Sequence, residues 1–128
     1  MLKRLWMTAA ALVLMGAFVS RASAETRSGS AFAWKDGYIE FPATLYTMYN
    51  GAHESWSDIN ESTIQVTGRL YVDNIMVHTC VAEHGGTSAA CNTTKNYLQP
   101  WFALEAKSDH VFWEPTYGDT HFITTYVY

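Results

Sequence analysis

Ser62-Thr63-Ile64-Gln65-Val66-Thr67-Gly68-Arg69-Leu70-Tyr71-Val72-Asp73-Asn74-Ile75-Met76-Val77-His78-Thr79-Cys80-Val81, residues 62 to 81, is the stretch whose reading decides the fold class. Its opening alternates cleanly and puts Ile64 and Val66 on one face of a strand. Gly68 marks a turn or a bulge. Leu70-Tyr71-Val72 stops at Asp73-Asn74, and the alternation then resumes. In the second run Ile75, Val77, Thr79 and Val81 share one side, while Met76, His78 and Cys80 share the other. A period of two, twice in so short a span, is the mark of β structure. Which face of the second run is buried stays open at the level of local pattern.

Outward from this stretch the same signals recur. Ala31-Phe32-Ala33-Trp34 leads to Asp36-Gly37, a strong hairpin-turn dipeptide, and Tyr38-Ile39-Glu40-Phe41 stops at Pro42. Thr44 to Tyr49 is rich in aromatic and β-branched residues and ends at Asn50-Gly51, a second hairpin signal. Ala52 to Glu61 is polar and reads as a loop around Trp56. Pro100 to Lys107 is ambiguous. Ala103-Leu104-Glu105-Ala106-Lys107 are good helix formers behind a proline suited to a first turn. They can equally pair with His110 to Glu114 across Lys107-Ser108-Asp109. Tyr117-Gly118-Asp119 is a turn, and His121 to Tyr128 is a terminal strand. Short strands at short intervals predict an all-β, antiparallel sandwich or small barrel, with at most one short helix near 100–107.

The N-terminal part has a different character. Met1-Leu2-Lys3-Arg4 is cationic, Leu5 to Val19 is an uncharged apolar run, and Ala22-Ser23-Ala24 is a small-x-small cleavage signal. That order is the signature of an export leader over residues 1–24, and the apolar run falls short of the roughly 18 residues a membrane span needs. Residues 25–30 are polar and expected to be a flexible start, leaving 31–128 as one β domain, secreted or periplasmic, with no membrane span in the mature chain. Lys3, Arg4 and Arg21 belong to the leader, so of 8 Lys+Arg five remain against 12 Asp+Glu, a balance of −7. Such a charge repels phosphate backbones, and nucleic acid is excluded as a partner.

Cys80 and Cys91 are an even pair in a chain expected to be exported, which predicts a disulfide across an interior containing Gly85-Gly86. His78 and His84 flank Cys80, which raises a metal site as the rival. The spacing matches no established zinc arrangement, and no metal or other cofactor is expected. The five histidines (His53, His78, His84, His110, His121) form neither H-x-x-x-H nor H-E-x-x-H, and no serine sits in G-x-S-x-G. His84 reads as a solvated loop residue and His78 and His121 as structural histidines on strands. Asn60-Glu61-Ser62 and Asn92-Thr93-Thr94 match the N-glycosylation pattern, which acts only in a eukaryotic secretory pathway.

The aromatic content is the unusual feature. Trp34, Tyr46, Phe102 and Phe112 sit on strand-like runs and are expected in the core. Trp56, beside His53 and Asp58, and Tyr117, beside Asp119, are the aromatics expected to be exposed, with Trp113 close to the latter. A ring with neighbouring carboxylates offers stacking plus hydroxyl hydrogen bonds. Trp56, Trp113, Tyr117 and Asp119 are therefore the candidate binding residues, and no catalytic residue is assigned. The sequence-level expectation is a binding module for an extracellular glycan or protein. The alternatives are a self-associating structural or surface protein, hence a homo-oligomer, and a small secreted hydrolase.

Overall fold

A computed structural model describes residues 25–40, 44–97 and 103–128. The leader at 1–24, the stop at Phe41-Pro42 and the Pro100 to Phe102 part of the ambiguous segment lie outside the described residues. Five antiparallel strands form one sheet: β1 (Arg27–Glu40), β2 (Thr44–Val72), β3 (Ile75–Tyr97), β4 (Leu104–Glu114) and β5 (Gly118–Val127). There is no helix among the described residues, and 104–107, where a short helix was one option, begins β4.

The sheet curls over on itself because its two longest strands bend. Between the pairs Trp56↔Ser88 and Ile64↔His84, β2 advances eight residues while β3 advances four. The surplus on β2 makes a corner, and opposite it β3 carries Gly85-Gly86, with Gly86 at φ 126. A strand that must change layers does so at such a bulge. β1 pairs only with 44–57 of β2, and β4 pairs only with 63–72. The first layer is thus β1, β2 residues 44–57 and β3 residues 86–97. The second is β3 residues 75–84, β2 residues 61–72, β4 and β5.

The corner is locked by charge. Arg27 donates to both carboxylate oxygens of Glu61 and to the Gly118 carbonyl, and Ser57 Oγ donates to Glu61 Oε1 at 2.7 Å. The Glu61 side chain is fully enclosed. These contacts start β1 at Arg27, inside the stretch expected to be a flexible start, and the Asp58 carboxylate adds a hydrogen bond from Thr26 N–H. The expected disulfide is present, and it joins the layers: Cys80 is on β3 in the second layer and Cys91 on β3 in the first, with Cα atoms 5.9 Å apart.

Several local turn readings are corrected by this architecture. Asp36-Gly37 lies inside β1, paired with Met48 and Thr47, and Asn50-Gly51 lies inside β2. Gly51 is required for close approach rather than for turning: a Cβ there would sit 2.6 Å from Thr93 Oγ1 and 3.0 Å from His53 Nε2. The polar segment 52–61 is strand, not loop. Lys107-Ser108-Asp109 is the middle of β4 rather than a hairpin tip. Among the described residues, hairpins turn at Asp73-Asn74, both at positive φ, and at Pro115 to Tyr117, where Tyr117 N–H donates to the Glu114 carbonyl. The turn expected at Tyr117-Gly118-Asp119 sits earlier, at 115–117, with Gly118 and Asp119 already in β5, and the terminal strand expected over His121 to Tyr128 is present within β5.

The space between the layers holds two apolar clusters. One contains Ala31, Ala33, Tyr49, Leu70, Val72, Leu104 and Ala106; the other contains Ile64, Val66, Ala89 and Phe112, with Phe122 packed beside it. Each large aliphatic or aromatic side chain enclosed here contributes roughly 1.5–3 kcal/mol through lost apolar hydration. Between the clusters runs a polar seam of histidines and hydroxyls.

Candidate functional site

The seam is the first place to look for chemistry, because it contains two enclosed imidazoles. Strand alternation sends His53, Ser55 and Ser57 of β2, and Ser108 and His110 of β4, to the inside. His53 Nδ1 lies 2.8 Å from Ser108 Oγ, and its Nε2 lies 2.9 Å from Thr93 Oγ1. Ser108 Oγ itself donates to the Ser30 carbonyl, so His53 Nδ1 donates to Ser108 and Nε2 accepts from Thr93. His110 is held in the same way, between Ser55 Oγ at 2.6 Å and Thr124 Oγ1 at 2.7 Å, and its ring stacks on Phe122.

Each imidazole lies over a glycine of the facing layer. A Cβ on Gly68 would sit 2.3 Å from the nearest atoms of the His53 ring, and one on Gly29 2.2 Å from the His110 ring, too close for either to be tolerated. Burial pushes both histidines from the ordinary 6.5 down to about 4. His110 adds a further lowering at His53, whereas for His110 Asp109 acts in the opposite direction and His121 in the same one. With both ring nitrogens bonded to hydroxyls and no exposed surface, neither histidine meets a substrate. They are neutral structural groups, and so is the Arg27–Glu61 pair. His78, on the rim, accepts a hydrogen bond from Thr94 N–H across the fold of β3 at 2.8 Å. Among the described residues no group of histidines, cysteines and carboxylates has the geometry to hold a metal ion.

The outer surfaces are where the exposed aromatics sit. Trp113 of β4 and Asp119 of β5 are a register pair, with Tyr117 in the turn between them, so the structure brings these three candidates together on the second layer. Trp56 is not with them. It is on β2 rather than in a loop, between Ser28 of β1 and Ser88 of β3, on the outer face of the first layer.

That face carries more apolar surface than sequence reading gave it. Phe32, Trp34, Met48 and Trp56 are 48%, 38%, 39% and 39% exposed. Trp34 was expected in the core; it points out because its neighbours Ala31 and Ala33 are the inward-facing residues of β1. Most of the remaining positions are small or uncharged. One cross-strand row reads Trp34, Asn50, Thr94; the next reads Phe32, Ala52, Asn92; a third reads Ser30, Glu54, Ala90. Among the described side chains of this face the ionisable ones are carboxylates, Asp36 and Glu54, with Asp58 next in the alternation beyond Trp56. Lys35 and Lys95 alternate away from it and lie over the rings of Tyr128 and Tyr97, at 5.2 and 5.9 Å from their centroids.

Sequence reasoning missed both the seam and most of this face. The available signal was alternation through polar residues: His53, Ser55, Ser57 in one run and Ala106, Ser108, His110, Phe112 in another. No helix among the described residues is long and apolar enough to cross a membrane. Comparison with protein-family models, with curated proteins and with solved structures gives no match, so no site residue is carried over from a relative.

Proposed function

We propose that this chain is an exported binding module that holds an extracellular ligand on the outer face of its first layer, with Phe32, Trp34 and Trp56 as the contact rings. The observation that carries the reading is the grouping of large exposed apolar side chains on a sheet face that is otherwise mostly small or uncharged and carries no cation among the described residues. Aromatic side chains give much contact area for few rotors, and they dominate the energetics of recognition surfaces. A rigid sheet presents them without an ordering cost at the moment of binding. The disulfide between the layers fits an oxidising compartment.

The test is retention on immobilised extracellular glycans and proteins, comparing the protein with Trp34→Ala, Trp56→Ala and, as the control on the other layer, Trp113→Ala. Loss of retention in the first two and its survival in the third supports the reading. Retention that depends on Trp113 and not on Trp34 or Trp56 refutes it. Sedimentation in parallel covers the second reading: a mass that rises with concentration, and that Phe32→Ala reduces to monomer, assigns the face to self-association instead.

A further inference from the structure

Resting on that binding reading, we infer that the ligand of this face is an uncharged polysaccharide chain that lies along β1 and β2. Three features of the face specify that chemistry: its charge, its extent and its polar complement.

The charge comes first. Asp36 and Glu54 are carboxylates, and the two nearby ammonium groups are turned onto Tyr128 and Tyr97. A ligand bearing carboxylates or sulfates would meet repulsion with no cation to offset it. The extent comes second. Trp34 is level with Asn50, and Trp56 lies six residues further along β2, about 20 Å at the usual rise per residue. A single sugar touches one of these rings and not both, so contact with Trp34, Phe32 and Trp56 together needs a chain of several units. Between the rings Ser30, Ala52 and Ala90 are small, and Glu54 is the one long side chain, a carboxylate able to accept hydrogen bonds from the hydroxyls of such a chain.

The polar complement comes third. Trp34 has the Asn50 amide one strand away, about 5 Å across, and Thr94 one strand beyond; Phe32 has Asn92 at about 10 Å. Sugar rings present an apolar face to an aromatic ring and hydroxyls at their rim, and amides both donate to and accept from hydroxyls. A second copy of the chain stacked on this face is disfavoured by the same residues. Face-to-face sheet packing would enclose Asn50, Asn92, Thr94 and Glu54 without assured partners.

The experiment is electrophoresis of the native protein through gels cast with hydroxyethylcellulose, galactomannan or xyloglucan, and through gels cast with polygalacturonate. Retardation is expected in at least one neutral polymer and not in polygalacturonate. Trp34→Ala and Trp56→Ala should each weaken it at least about tenfold, and Asn50→Ala several-fold, while Trp113→Ala leaves it unchanged. Thermal unfolding checks that each variant is folded. No retardation in any neutral polymer overturns the inference. If the protein instead binds polygalacturonate or an immobilised protein, and that binding needs Trp34 and Trp56, the face is a binding site and only the ligand class is wrong. If no binding depends on these rings, the binding reading falls as well.

Discussion

Acidification from about pH 7 to about pH 5.5 is expected to cost this fold about 2.5 kcal/mol, through His53 and His110 alone. Burial holds both imidazoles neutral in the folded state, at about 4 against the ordinary 6.5 of an exposed histidine. Between those values the unfolded chain takes up protons that the folded chain does not, so stability rises with pH across the window. The contribution is fully present above 6.5 and is lost as pH falls toward 4. Working the linkage through gives about 1.2 kcal/mol per histidine over this step, and about twice that for the pair. Carboxylates titrate mostly below the range, which leaves the histidines as the main source of the slope. For a domain of this size the urea midpoint should fall by about 1–2 M. The assay is urea unfolding followed by far-ultraviolet circular dichroism at closely spaced pH, with the disulfide intact. Nitrogen-correlated NMR of the imidazoles supplies the site-specific check. A midpoint that does not move across this range, or a His53 or His110 ring that titrates near 6.5, refutes the account of the seam.

Three further outcomes follow from the packing. Gly68→Ala places a methyl group 2.3 Å from the His53 ring and should destabilise the protein by about 1–3 kcal/mol in urea unfolding, whereas Gly86→Ala, at positive φ but in open space, should cost less. Thr47 is fully buried with its Oγ1 unpartnered, so Thr47→Val removes a desolvated hydroxyl at constant shape and should raise the urea midpoint, by about 1 kcal/mol in stability. Replacing Cys80 and Cys91 together by serine should lower stability by about 3 kcal/mol, since the bridge closes a short ring and ties the two layers; an unchanged thermal midpoint would count against that role.

What could be read from the sequence was what local chemistry determines. Ile64 and Val66 alternate with polar residues and are buried, as a one-sided strand requires. Cys80 and Cys91 pair, the strand run ending at Val72 does stop at Asp73-Asn74, and Tyr117 lies in a turn, although Gly118 and Asp119, read as part of that turn, already belong to β5. The errors share one cause. Asn50-Gly51 and Asp36-Gly37 have the composition of hairpin turns, but a dipeptide signal does not distinguish a glycine that frees the backbone from one that makes room. Gly51 makes room for Thr93 and His53, which are distant in sequence. Residues 52–61 looked like a loop because their inward side chains are polar, and that polarity is matched by residues distant in sequence: Ser108 and Thr93 at His53, His110 at Ser55, and Arg27 at Glu61. Trp34 looked like core because size and strand propensity were legible while facing was not. Its facing is set by the small residues of β1 that pack against Leu104 and Ala106.

The seam also explains how an outer face can be held rigid by so small a core. Apolar clusters alone tolerate repacking and sliding, because hydrophobic contact has little directional preference. The His53 and His110 rings are different: each is fixed at both nitrogens and seated over a glycine. Sliding one layer over the other by a single residue would leave enclosed hydroxyls unpaired, at about 1–3 kcal/mol each, and would drive a backbone or a Cβ into an imidazole. The seam therefore sets the register between the layers. β1 is held over β4 by Gly29 beneath His110 and by the bond from Ser108 to the Ser30 carbonyl, and Phe32 and Trp34 follow directly on that anchored segment. The polar interior and the aromatic exterior are thus coupled, with the core histidines positioning the strand whose opposite face presents the exposed rings of Phe32 and Trp34.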